Sequence, residues 1–165
     1  MTKATKATKA TKGARKIVAA GRGRVIQHPS MRTEIIKLAR KAKPHVVYIG
    51  APTYESISGY DAQAKGFAEC GCTVEHLKIT ELKNNAENRK SVRSSIEGAD
   101  IIAVSGGNTL FAMKKVRQLG MDNMIRTAMK EGTVLTGGSA GAICWFDSGH
   151  SDSRDPTTLR NVKPK

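Results

Sequence analysis

The chain is poor in aromatic residues. Three Phe, three Tyr and one Trp make up 4% of its 165 residues, so its core has to be built from aliphatic side chains. Acids are scarce too: 14 Asp and Glu stand against 28 Lys and Arg, a formal net charge of +14. Three cysteines cannot all pair within one chain, which excludes a disulfide-stapled scaffold. Cys70-x-Cys72 has no second pair to complete a zinc site. All three read as reduced thiols of a cytoplasmic protein. No apolar run approaches the roughly 18 residues of a membrane span, and no apolar signal-peptide core follows Met1. The P-loop pattern Gly-x-x-x-x-Gly-Lys-Ser/Thr is missing. Gly21-Arg22-Gly23-Arg24 has Ile26 where a dinucleotide fingerprint needs its third glycine. Integral membrane, secreted, P-loop and dinucleotide-binding classes are thereby set aside.

The positive charge is unevenly placed. Residues 1–16 carry Lys3, Lys6, Lys9, Lys12, Arg15 and Lys16 and no acid, leaving +8 for the remainder. The triplet Lys-Ala-Thr recurs there without a large apolar side chain to bury, which predicts disorder. Such a tail reads in three ways: a contact with nucleic acid or another polyanion, a targeting segment, or a solubilising extension, the last being the simplest. The resulting organisation is a disordered basic tail over 1–15, one α/β domain over 16–156 and a flexible tail over 157–165.

From Lys16 onward two textures alternate. Short Val- and Ile-rich runs occur at Ile17–Ala20, His45–Gly50, Thr73–Ile79, Asp100–Ser105 and Thr133–Thr136. Between them lie helical stripes: Ile35, Ile36, Leu38 and Ala39; Ala64, Phe67, Ala68 and Cys72; Val92 and Ile96; Leu110, Met113, Val116 and Leu119; and Met121, Met124, Ile125, Ala128 and Met129. Alternation of this kind predicts βαβ units in a three-layer parallel-sheet fold, whose strands are buried on both faces and so read as continuous apolar runs.

In open parallel sheets ligands bind beyond the carboxyl ends of the strands. Two of those ends stand out. After the fifth run, Gly137-Gly138-Ser139-Ala140-Gly141 fits Gly-x-Ser-x-Gly between a strand and a helix, the pattern of a nucleophile elbow with Ser139 at its apex. The elbow lifts the hydroxyl clear of the sheet and turns the N–H of Ala140 toward a developing oxyanion. The plainer alternative is a packing turn. After the fourth run comes Ser105-Gly106-Gly107-Asn108-Thr109. Its paired glycines let backbone N–H groups approach a substrate, making Gly107 a candidate second oxyanion donor. Asn108 or Thr109 is a candidate helix cap, and Asn108 a candidate substrate-binding residue. A simple capped turn is the alternative.

Ser105–Thr109 and Gly137–Phe146 (GGSAGAICWF), with Ser148-Gly149-His150-Ser151-Asp152-Ser153 behind them, resemble peptidase family S51, which includes peptidase E and the cyanophycinases. The resemblance runs from about Lys16 to about Asp155. It implies a class I glutamine-amidotransferase-like (flavodoxin-like) fold with a serine in place of the usual cysteine nucleophile. It also implies hydrolysis of short peptides after an N-terminal aspartate or related acidic residue. Ser139 would be the nucleophile, with Gly107 and Ala140 forming the oxyanion hole. No metal or organic cofactor is implied.

A serine hydroxyl needs a base to take its proton. In the family that base is a His well downstream of the elbow; here 26 residues follow Ser139. His45 and His76 fall in strands and read as structural, and His28 lies at the rim beside Pro29. His150, eleven residues past Ser139, is a candidate if the chain turns back on the hydroxyl, with a solvent-exposed loop residue as the alternative. Asp152 and Asp155 lie roughly where one branch of the family places the acidic member of the triad, with turn-forming loop acids as the alternative. Two expectations follow: a serine exopeptidase acting on short acidic peptides, or a catalytically inactive protein on the same fold that works by binding or association. The domain is expected to be incomplete at its C-terminus, with strand 133–136 poorly covered on one flank, as in an isoform, a truncated gene product, or one partner of a homodimer that completes the fold.

Overall fold

The computed structural model describes residues 14–154. The Lys-Ala-Thr repeats and the tail over 157–165 lie outside the described residues, as does Asp155. Five strands, β1 (Lys16–Ala20), β2 (His45–Ile49), β3 (Thr73–His76), β4 (Ile101–Val104) and β5 (Val134–Gly138), form one parallel sheet in the order β1-β5-β4-β2-β3. Helices α1 (Gly23–Gln27), α2 (Pro29–Ala39), α3 (Ile57–Gln63) and α4 (Lys65–Glu69) accompany the first half of the chain. Helices α5 (Ala86–Gly98), α6 (Thr109–Gln118), α7 (Met121–Glu131) and the short α8 (Ala140–Ile143) accompany the second.

The three layers follow from the two-residue period of the strands. Val46, Tyr48, Ile101, Ala103 and Val134 turn to one face and pack with Ile26, Ile35, Ala64 and Phe67. Their neighbours Val47, Ile49, Ile102, Val104 and Leu135 turn to the other and pack with Val92, Ile96, Ala112, Val116, Met121 and Ile125. Both faces of β4 and β5 are fully covered, as their unbroken apolar sequences require. Asn85 and Asn108 cap α5 and α6 by accepting the amides of Asn88 and Phe111. Gly120 and Gly132, both at positive φ, bracket α7.

The sheet corrects the expectation about the fifth strand. β5 is interior, paired with β1 on one side and β4 on the other. The edges are β1 and β3; on β1, Ile17 is 39% exposed and alternate residues lie open among the described residues. The third run also ends early. β3 stops at His76, and the chain then turns so that the amides of Ile79 and Thr80 reach the Glu55 carboxylate. Of the second helical stripe only Phe67 and Ala68 lie in α4, with Ala68 exposed; Ala64 is the junction between α3 and α4, and Cys72 lies beyond α4.

Candidate active site

Because every strand is parallel, the carboxyl ends of β1, β4 and β5 open on one side of the sheet, and the two glycine-rich turns meet there. Ser139 directly follows β5. Its φ of 55° and ψ of −120° lie in a region costing a non-glycine residue about 1–3 kcal/mol. It is exposed between buried Val134–Gly138 and buried Ala140–Ala142. A single strained, exposed residue inside a buried stretch is the geometry of an elbow. The strained backbone persists because its surroundings leave no room to relax. A Cβ at Gly141 would fall on the Val104 carbonyl, and one at Gly137 would stand 2.5 Å from the Gly141 carbonyl oxygen. The Ser139 amide is fixed by a 2.9 Å bond to the Ala20 carbonyl of β1.

The β4 turn lies over this residue: a Cβ at Gly106 would sit 3.5 Å from Ser139 Cβ. Gly106 donates its N–H to Gln63 Oε1 at 3.0 Å. Gly107, at φ +128°, is pressed against the Pro52 carbonyl, which also accepts the Asn108 amide at 2.8 Å. Among the described residues the amides of Gly107 and Ala140 have no acceptor. Ala140 is 1% exposed, and as the first residue of α8 its N–H has no partner inside the helix. A buried donor without a partner beside an exposed hydroxyl is what a developing oxyanion requires. Asn108 uses Oδ1 as the α6 cap and Nδ2 to donate to Tyr54 Oη at 2.9 Å. One N–H of that carboxamide is left for a ligand.

The expected base is not assembled with Ser139. No histidine nitrogen is hydrogen-bonded to its hydroxyl among the described residues. His150 and Asp152 are exposed and make no side-chain hydrogen bond among the described residues, although the loop carrying them returns over α8 with Gly149 against Ile143. The other histidines are structural. His45 contacts Thr73 and Glu75, His28 contacts Ser30 at the start of α2, and His76 contacts Glu55.

Two polar residues at this end of the sheet were missed by sequence reasoning. One is Gln63. The other is Glu55, at φ 59°, whose carboxylate accepts from His76 Nε2, the Ile79 and Thr80 amides and the Thr80 hydroxyl. That knot anchors the loop after β2, whose Pro52 carbonyl shapes Gly107. Beneath it, Tyr48 Oη and Ser105 Oγ are buried close together without a well-formed hydrogen bond, and burial pushes the Tyr48 phenol up. Burial likewise pushes the Cys144 thiol up to about 11. Among the described residues no three His, Cys, Asp or Glu side chains cluster as a metal site, and no helix is long and apolar enough to cross a membrane.

Compared with known proteins, residues 17–163 match the model of peptidase family S51. The chain belongs to this family. It is 29% identical over 147 residues to the uncharacterized peptidase YgaJ of Bacillus subtilis (strain 168), covering 87% of this chain and 62% of YgaJ. It is 42% identical over 86 residues to peptidase E of Haemophilus influenzae, covering 50% of this chain and 39% of that protein. Among solved structures, a protein of peptidase E type from Listeria monocytogenes EGD-e superposes with a TM-score of 0.63 at 22% identity, over 78% of this chain and 60% of that one. A peptidase from an acI-B1 Actinobacterium gives 0.62 at 19% identity, over 82% and 57%. The S51 chain described here thus spans about six-tenths of YgaJ and of both solved relatives. The fold shared with them is the parallel α/β sandwich described above.

Proposed function

We propose that this S51 chain is a serine-type exopeptidase that hydrolyses short peptides bearing an N-terminal acidic residue. The observation that carries the reading is the strained, exposed Ser139 beside the two unpartnered amides of Gly107 and Ala140. In this reading Ser139 Oγ attacks the scissile carbonyl, and its oxygen gathers charge between the two amides, each worth about 3 kcal/mol in the transition state. The peptide's amine leaves, and water then releases the acid from the acyl-enzyme. His150 takes the serine proton, oriented by Asp152, when the loop over α8 carries it to the hydroxyl. Family membership and the likeness to peptidase E support the acidic substrate.

A second reading is favoured by the lack of any imidazole bonded to Ser139: a protein that binds such peptides without cleaving them. Hydrolysis of Asp-Leu by the full chain, beside Ser139→Ala and His150→Ala, separates the two. The peptidase reading expects turnover that falls at least about a hundredfold in both variants. Equal release from wild type and Ser139→Ala rejects it.

A further inference from the structure

The wall of the site opposite the β4 turn is formed by the loop after β1, which the hydrolytic chemistry does not use. Ser139 donates its amide to Ala20, the last residue of β1, and Gly21-Arg22-Gly23-Arg24 follows at once. This loop is in direct contact with the elbow. A Cβ at Gly138 would stand 2.6 Å from Gly23 Cα and 2.8 Å from the Arg22 carbonyl oxygen. A Cβ at Gly21 would meet nothing within 4 Å, so the wall is low and open to solvent. Arg22, in extended conformation, and Arg24 are both exposed. Neither side chain has a carboxylate or hydrogen-bond partner among the described residues. Several other basic side chains are engaged: Lys16 on the Leu38 and Gly132 carbonyls, Arg32 on the Gln27 carbonyl, Lys41 on Asp100, Arg89 on Asn84. The loop whose backbone touches the elbow therefore carries two uncommitted guanidinium groups.

We propose that Arg22 and Arg24 form the specificity wall of the Ser139 site, reading a carboxylate on the bound peptide. The inference rests on Ser139 being the reacting group. With the scissile carbonyl held between Ser139 Oγ and the β4 side, the low β1 wall receives the substituent it carries. A planar guanidinium pairs with a carboxylate through two parallel N–H···O bonds, which a neutral amide cannot match. The carboxylate is either the side chain of an N-terminal acidic residue or the free C-terminus of a dipeptide.

Calorimetric titration of the full chain in a Ser139→Ala background, where nothing turns over, tests this with four probes: Asp-Leu-amide, Asn-Leu-amide, Ala-Leu and Ala-Leu-amide. Arg22→Gln/Arg24→Gln is compared with Arg22→Lys/Arg24→Lys, and circular dichroism checks that each variant is folded. Asp-Leu-amide is expected to bind at least about tenfold tighter than Asn-Leu-amide. The glutamine pair should erase that difference without weakening the Asn peptide, and the lysine pair should keep part of it. A difference between Ala-Leu and Ala-Leu-amide that vanishes in the glutamine pair supports the same wall and assigns it to the C-terminal carboxylate. No discrimination in the parent, or discrimination untouched by the glutamine pair, overturns the proposal. Turnover is scored separately with Ser139 intact. A chain that binds selectively but does not cleave keeps the wall and loses the peptidase reading; one that cleaves Asp-Leu and Asn-Leu equally keeps the peptidase reading and leaves the wall only the C-terminal carboxylate to read.

Discussion

At the scale of the residue, Ser139 holds a conformation that glycine adopts freely and other side chains resist. Ser139→Gly should therefore be more stable than Ser139→Ala by about 1 kcal/mol, read from denaturant midpoints, with both hydroxyl-free. Gly141→Ala drives a Cβ into the Val104 carbonyl and should cost about 3 kcal/mol or more, or prevent folding. The thiols differ in the same local way. Cys70 is exposed, whereas Cys144 is pushed up to about 11 by burial. Timed labelling with Ellman's reagent at pH 8 should modify Cys70 first and Cys144 last, only about a thousandth of the latter being thiolate. The elbow was legible in the sequence because its requirement is local: small residues flanking one serine. Gln63 and Glu55 were not, because their partners lie 43 and 24 residues away, and no short pattern encodes such a meeting.

At the scale of the element, the loop after β2 is the least regular part of the site and the most tightly tied. Tyr54 and Glu55 both have positive φ, and four donors converge on one carboxylate to hold them there. Glu55→Ala leaves buried donors unpaired and should cost about 2–4 kcal/mol in chemical denaturation. It should also lower turnover through the Pro52 carbonyl that shapes Gly107. All five strands could be read from their short runs, β4 and β5 most directly, since strands covered on both faces carry no polar alternation. Their order could not. The position of β5 between β1 and β4 depends on which face each crossover takes, and runs of four or five residues do not record that.

At the scale of the whole molecule, the sheet has one apolar edge, β1, left open among the described residues. β1 carries Ile17 open to solvent and no proline. Ile17→Lys should reduce light scattering at high protein concentration. Stability should also fall in alkali. The unfolded Cys144 ionises near its ordinary 9.0 and the folded one near 11, so the unfolded chain sheds its proton first. The contribution of about 2 kcal/mol is complete below pH 9 and is lost as pH rises toward 11. Urea midpoints at pH 8, 9.5 and 11 measure the decline.

Trp145 is the single tryptophan of the chain, two residues past α8, and its indole N–H is buried without a partner among the described residues. Its emission is therefore a built-in optical gauge of the segment that begins at Ser139. Unfolding should shift that emission to longer wavelength, and any rearrangement of α8 on peptide docking is readable in real time without a label.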